Sequence, residues 1–543
     1  MNRKGFISEG RPFFPVGAQV HNSSAYSVEG LNRGFEALKH IHANSVAIPL
    51  YWGVVEGQEG IYDFSLVRSI WEEVKARGYK LIFIWFGTWK NGNAKYAPHW
   101  VKENPQRFWR VIAQDGSRLN SLSPHCEETK HADMRAFVAL TEYLHALDPN
   151  KEVLIAIQVQ NEPGIMPGAY RDYSETAERA FRSPIPMQLS QFMKDYPNSQ
   201  ISRRWQKNDE NTESWISAFD SLAEEAFTAY HISEYVDDIA RAGKEKFDIL
   251  MFTNVWLEQH SWRIPGINYP AGGPVSRTLD IWKWMTPHLD MISPDIYQQT
   301  LEGYTEACRD YTREDNALFV PESAPLAEWN SRFLFKALGE YKAIGYFLFG
   351  AESILDEEDQ VDPSAWPVVG SMQVASALAG GLMRYKQAPT AVIYQDEYSP
   401  MQRLEFDHYY ALALFTNCHP AGGHNDSDWN WHDQYHKDYR QKQKAEGRRG
   451  RGLVIQTSEH EFYVAGDGYR LLFMPKRLIT HTLPAHATNE FTLTRSVDYV
   501  SVEEGRFDQE GNFHANRNRN GDEVDFGIWV EADTGVVRVR LCP

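Results

Sequence analysis

The chain has 543 residues, of which 42% are hydrophobic, and it carries 17 Trp, 27 Tyr, 28 Phe and a formal net charge of −18. This length predicts two or three domains. The charge repels phosphate backbones and argues against nucleic acid as a partner, and no run of about twenty apolar residues exists to cross a bilayer. Cys126, Cys308, Cys418 and Cys542 match no metal or redox spacing. The N-terminus lacks the apolar stretch of a secretion signal, so a cytoplasmic location is expected.

Residues 13–20 read as a first strand that leaves through His21-Asn22-Ser23-Ser24. A helical stretch over 30–42 leads to a second strand, 45–50, whose exit is Tyr51-Trp52-Gly53-Val54-Val55-Glu56. An amphipathic helix over 64–77 stops at Gly78. The third strand is 80–86, with Gly87-Thr88-Trp89-Lys90-Asn91 as its exit, and a helix over 134–147 follows.

The most informative stretch is next, 153–164, VLIAIQVQNEPG. Its near-continuous apolar run is that of a strand buried on both faces. It breaks at Asn161-Glu162, and Pro163-Gly164 ends it. About ninety residues separate this fourth strand from the fifth, and the part over 184–214 reads as polar and irregular. The helical pattern resumes over 212–242. Strands five to eight fall at 248–254, 289–295, 317–322 and 345–350, with helices over 301–309 and 330–344 between them.

Eight short apolar strands alternating with helices predict an α/β fold, a (β/α)8 TIM barrel over 1–366. An open doubly wound sheet is the alternative, but no glycine-rich phosphate turn follows the first strand. From 367 to 543 the pattern changes. A small-residue helix over 372–383 precedes β segments at 391–394, 409–416, 452–455, 461–464, 469–473, 489–494, 525–530 and 536–541. Asp467-Gly468 and Asn520-Gly521 read as hairpin turns. The prediction is a mostly antiparallel accessory domain, a sandwich or open barrel. A polar loop over 424–451 holds His424, His432 and His436, whose spacing fits no standard metal site.

Residues at the C-terminal ends of barrel strands share one mouth. Two such ends carry carboxylates, Glu162 and Glu322. A carboxyl pair on opposite walls suits glycosidic cleavage, in which one acid protonates the leaving oxygen and the other attacks the anomeric carbon or activates water. Glu162 is expected as acid/base, with a pKa raised by burial and by Glu322, and Glu322 as the ionised nucleophile. Asn161 is placed to bond the sugar 2-hydroxyl. Tyr297, leaving the sixth strand, either orients Glu322 or stands as a rim aromatic. Retention of configuration predicts carboxyl groups about 5–5.5 Å apart.

Asn-Glu-Pro after strand four, with a second Glu ending strand seven, resembles the clan of retaining barrel glycosidases. Residues 44–64 (NSVAIPLYWGVVEGQEGIYDF) resemble the family-35 β-galactosidase signature, and GAQVHNSSAYS and WFGTWKNG resemble its bacterial branch with an extra C-terminal β-domain. The resemblance covers about residues 8–365. It implies a retaining exo-β-galactosidase acting on oligosaccharides or plant glycosides without metal or cofactor. It implies Glu162 as acid/base, Glu322 as nucleophile and Asn161 as the 2-hydroxyl ligand. Tyr51 or Trp52, Trp89 and Tyr297 are implied as the lining of the sugar pocket.

The sequence departs from that family at strand three. Where many members have Cys-Ala-Glu-Trp, here stands Gly87-Thr88-Trp89-Lys90-Asn91, so Lys90 or Asn91 takes over the polar contact. Glu56 either binds sugar or anchors its loop, and Glu352 and Glu258 are lesser candidates for sugar contacts. The same mechanism on a glucoside, xyloside, mannoside or arabinopyranoside, and a sugar-binding barrel without catalysis, are the competing readings; the presence of both carboxylates argues against the latter. The expected partner is a carbohydrate, with neither nucleic acid nor membrane, and homo-oligomers are left open.

Overall fold

The computed structural model describes residues 5–258, 264–397, 399–417, 449–476, 497–524 and 527–543. Residues 424–448 of the polar loop over 424–451, the β segment at 489–494 and Cys418 lie outside the described residues. Cys126, Cys308 and Cys542 are free thiols. No helix among the described residues is long and apolar enough to cross a membrane.

Seven parallel strands run in the spatial order of a barrel: Val16–Gln19, Ser45–Tyr51, Lys80–Lys90, Leu154–Asn161, Met251–Trp256 and Met291–Asp295 follow one another, and Tyr346–Phe349 pairs with Val16–Gln19 on the far side. The expected seventh strand, 317–322, closes the ring without a continuous ladder. Single parallel bridges join Ile296 to Ser323 and Val320 to Tyr346. The bonds Ile296 N→Glu322 O (3.0 Å) and Phe349 N→Ser323 O (3.0 Å) lock it between its neighbours. The strands Ser45–Tyr51 and Leu154–Asn161 are buried along their whole length, as expected of a sheet covered by crossover helices outside and by side chains within.

Strand three runs four residues further than its apolar run suggests, to Lys90. Its register slips between Trp85 and Lys90, so that Lys90 pairs with Asn161. The cause is Asp133, reaching in from helix Glu127–Leu147. Its carboxylate accepts from Trp85 Nε1 (2.7 Å), Thr88 N (2.9 Å), Thr88 Oγ1 (2.6 Å) and Gln160 Nε2 (2.7 Å). Gly87 makes this approach feasible, because a Cβ there would stand 2.6 Å from both Asp133 oxygens. The irregular segment is a bulge that re-aims the strand end, as bulges near sites do.

The connection after strand four is helical where irregular chain was expected. Met187–Asp195 and Gln200–Lys207 bury Leu189, Met193, Ile201 and Trp205. Ser199 and Ser214 cap the helices that follow them through their side-chain oxygens. The helix expected over 212–242 divides into Trp215–Phe219 and Ala223–Lys244.

Helix Trp366–Arg384 is the seam to the C-terminal part. Gln373 and Ser376 donate to the carbonyls of His40 and His42 on the barrel side (2.8 and 2.6 Å). On the other side the fully buried Arg451 donates to Ser371 Oγ (2.7 Å) and the Pro367 carbonyl (3.0 Å), and pairs with Asp467 at 2.8 Å.

Beyond it, a six-stranded and a four-stranded antiparallel sheet face each other as a sandwich. Their common core includes Ile393, Val454, Phe462 and Val537 from one sheet and Ala413, Leu471, Phe473 and Ile528 from the other. Asp467-Gly468 and Asn520-Gly521 are not hairpin turns. In both cases the flanking strands belong to different sheets, so the glycines turn the chain across the sandwich edge. Three strands, Met401–Glu405, Tyr499–Phe507 and Phe513–Asn518, go unseen in the sequence pattern.

Candidate active site

The strand ends bring Glu162, Asp295 and Glu322 into one buried cluster, in which one carboxylate oxygen from each lies within 4.8 Å of the other two. Glu162 is 6% exposed and Glu322 4%, while Asp295 is 1% exposed. Two residues around Asn161 hold the left-handed backbone that side chains avoid, Gln160 at φ +64° and Glu162 at φ +48°. Such positions cost about 1–3 kcal/mol each and persist when their surroundings over-determine them. Gln160 Oε1 accepts from Trp89 N (2.9 Å), its amide is spent on Asp133, and Glu162 N donates to Asn254 Oδ1 (2.8 Å). The sharp exit of strand four is thereby fixed from three neighbouring elements.

Glu162 is flanked by two amides. Asn91 Nδ2 donates to its Oε2, and Asn161 Nδ2 lies 3.3 Å from the same oxygen. Asn161 Oδ1 accepts from Gln158 Nε2 (3.1 Å) and Asn254 Nδ2 (3.3 Å). Across the cluster, the Tyr297 hydroxyl donates to Glu322 Oε2 at 3.0 Å. Glu322 Oε1 and Asp295 Oδ1 are buried with no protein donor. Burial, then the charge of Glu162, pushes the Glu322 carboxyl up to about 7, against the pull of Lys90 and the Tyr297 hydroxyl. Burial, with Glu322 and Glu162 alongside, holds Asp295 well above the usual carboxylate range. Desolvation and like charge both favour the neutral acid.

Lys90 is buried at the end of strand three, and its charge reaches both Glu322 and Asp295. The three carboxylates are the group of acidic side chains among the described residues close enough to hold a cation. Their surroundings suit protons better: an ammonium faces them, and Asn254, Asn91 and Tyr297 already donate into their lone pairs.

Other expected site residues have different occupations. Glu56 is 1% exposed; its oxygens accept from Trp52 Nε1 and Gly60 N (both 2.7 Å), and its carbonyl accepts from Trp100 Nε1 (3.0 Å). It closes the loop after strand two, with Trp52 buried beside it. Glu352 accepts from His21 N (2.9 Å) and Ser24 Oγ (2.7 Å) and so ties the eighth strand exit to the first. Glu258 pairs with Arg277 at 3.4 Å. Trp89 is fully buried, with its ring 4.7 Å from Tyr235 of helix Ala223–Lys244, in the layer between sheet and helix. Tyr51 is buried and bonded to the Asn22 carbonyl (2.5 Å), stacked between Tyr26 and Tyr96. Tyr26, which the sequence pattern does not single out, is the exposed member of that stack, at 53%.

Asp295 and Asn254 are the other residues missed. Asp295 carries the same signal as the two glutamates, a carboxylate ending an apolar strand. Asn254 Nδ2 donates to Asp295 Oδ2 at 2.7 Å while its Oδ1 receives Glu162 N, so one amide joins the ends of strands four and six.

Residues 22–319 match the family described as Beta-galactosidase, glycoside hydrolase family 42, and residues 382–531 match a domain of unknown function, DUF5597. No curated protein matches the chain. Among solved structures it is similar to the catalytic domain of a β-amylase from Paenibacillus polymyxa: 14% identity, TM-score 0.47, 65% of this chain and 96% of that one. A β-galactosidase from Bacillus circulans sp. alkalophilus shares 13% identity, TM-score 0.49, over 68% of this chain and 57% of that one. For Gan42B, a family-42 β-galactosidase, the values are 15%, 0.48, 70% and 58%. The chain thus spans little more than half the length of these two β-galactosidases.

The family match corrects the resemblance to family 35. The stretch that carried it, 44–64, builds a strand and the Trp52–Glu56–Gly60 loop closure. In this chain the stretch serves barrel construction and loop closure rather than contact with the carboxylate cluster.

Proposed function

Because the chain belongs to the family-42 β-galactosidases, a family of glycoside hydrolases, we propose that it is a retaining, exo-acting β-galactosidase working through a covalent glycosyl-enzyme. The observation that carries this reading is the pairing of Glu162 and Glu322 across one buried mouth, with oxygens within 4.8 Å. One oxygen of each lying this close supports two carboxyl groups acting on a single glycosidic bond.

In this reading Glu322 attacks the anomeric carbon as its carboxylate. Lys90 favours the ionised form, and the Tyr297 hydroxyl holds Oε2, leaving Oε1 free of protein donors. Glu162 gives its proton to the departing glycosidic oxygen, then takes one from the water that releases the sugar. Asn161, fixed by Gln158 and Asn254, presents its amide to the 2-hydroxyl. Lys90 and Asn91 supply further donors from strand three. Terminal β-galactosides of oligosaccharides or plant glycosides are the proposed substrates.

The test is hydrolysis of a panel of nitrophenyl β-glycosides by wild type and E322Q. Release from the galactoside, abolished in the variant, is the expected outcome. Release from another sugar, equally abolished, keeps the mechanism and moves the specificity. A variant as active as wild type removes Glu322 from the chemistry.

A further inference from the structure

A retaining glycosidase needs two carboxyl groups, and this mouth holds three. Asp295 ends strand six and brings a carboxyl oxygen within 4.8 Å of one from Glu162 and one from Glu322. Three buried carboxyl groups this close oppose one another's ionisation, and a neutral acid among them can donate where a carboxylate cannot. Asn254 fixes which way Asp295 faces. Its Nδ2 donates to Oδ2 at 2.7 Å, leaving Oδ1 buried without a protein donor.

We propose that Asp295 is a positioning residue that stays a neutral carboxylic acid through the reaction and donates a hydrogen bond to Glu162. This rests on the retaining reading above. When Glu162 passes its proton to the glycosidic oxygen, the Asp295 O–H stabilises the carboxylate left behind. When Glu162 takes a proton from water, Asp295 keeps its own. No net proton moves through Asp295. With Lys90 as the facing cation and Glu322 ionised, two protons on Glu162 and Asp295 leave the cluster neutral.

The groups around Asp295 agree. Glu322 from the end of strand seven and Glu162 from the end of strand four oppose its ionisation, and Lys90 from strand three is the charge that favours it. The Tyr297 hydroxyl is pushed up by burial and then by Glu322, Asp295 and Glu162, and that of Tyr311 by burial, then by Glu258 and Asp310, with Asp295 behind them. Burial and the two like charges thus hold the Asp295 proton in place.

The experiment compares D295N and D295A with wild type on two aglycones, phenyl and dinitrophenyl, and records the carboxylic-acid carbonyl band by infrared difference spectroscopy well above pH 7, where Glu322 is ionised. Asn keeps a donor for Glu162 and an acceptor for Asn254, so D295N should retain most of the activity. D295A should lose about 10²-fold on the phenyl glycoside, whose departure needs the acid, and little on the dinitrophenyl one. Wild type should show a protonated-carboxyl band that D295N lacks.

Loss of activity in D295N as deep as in E322Q would mean that Asp295 works ionised and would overturn the proposal. So would equal losses on both aglycones in D295A, which would mark mere support, or the absence of the band. If wild type cleaves nothing while the band is present, the retaining reading fails and the neutral Asp295 stands.

Discussion

The mouth and the loop after strand two hold the same kind of side chain under similar burial, yet in different states. Glu56 is 1% exposed and both its oxygens accept from fixed N–H groups. Glu322 is 4% exposed, has a single protein donor on one oxygen and none on the other, and sits against two further carboxyls. In the first arrangement the two donors offset part of the desolvation, which still holds the Glu56 carboxyl above its ordinary range, and both oxygens are occupied. The second leaves acceptor capacity and charge uncompensated until something enters the mouth. Burial of a carboxylate therefore does not mark chemistry; burial without satisfaction does.

The widest separation between the two regions should come from glutamine replacements. E162Q is expected to lower kcat/KM by about 10²–10⁴-fold on poor leaving groups, and E322Q at least as much, with folding unchanged by circular dichroism. E56Q should leave the chemistry nearly intact; its loss should appear as about 1–3 kcal/mol of stability in urea unfolding, the cost of a mispaired buried donor. A large fall in kcat with unchanged stability in E56Q would break the comparison.

The seam offers a third buried carboxylate. Asp467 pairs with Arg451 in full burial, and R451A should cost about 3–5 kcal/mol by stranding that charge. R451M should cost less, because it refills the space, and neither should alter the leaving-group dependence of hydrolysis.

The smallest effect concerns pH. As pH rises, the unfolded chain releases the Glu322 proton near the ordinary 4.5, whereas the native state holds it to about 7. Native stability therefore falls across that window and stays lower above it. E322Q removes this penalty, so its melting temperature should exceed that of wild type by a few degrees at pH 8 and match it near pH 4. In the same free enzyme, kcat/KM should rise as pH climbs through about 7, because the nucleophile must ionise.

Much of this was legible in the chain. The apolar run 154–159 followed by Asn161-Glu162-Pro163 locates a strand and its reagents, because continuous burial and an abrupt proline stop are local signals. Glu322 is legible for a similar reason, although its strand pairs through single bridges. The helices over 187–207 were missed because their buried positions are few and their exposed faces are strongly polar; the Leu189/Met193 and Ile201/Trp205 spacings of four held the signal. The reach of strand three to Lys90 was not legible, because Asp133, which bends it, is far away in sequence. The stretch 44–64 does not discriminate the family, because it encodes a strand and a loop closure.

By itself, then, the sequence determined the order of strands and helices, the change to an antiparallel domain, and which strand ends carry carboxylates. Those follow from periodicity, proline and glycine stops, and side-chain type, all of which act locally. Only the tertiary structure decided which carboxylates are satisfied and which wait, that Asp295 joins Glu162 and Glu322, and that Glu56 and Glu352 serve their loops. A carboxyl group's charge and role depend on desolvation and on partners brought in by other elements, and those distances exist only after the barrel closes.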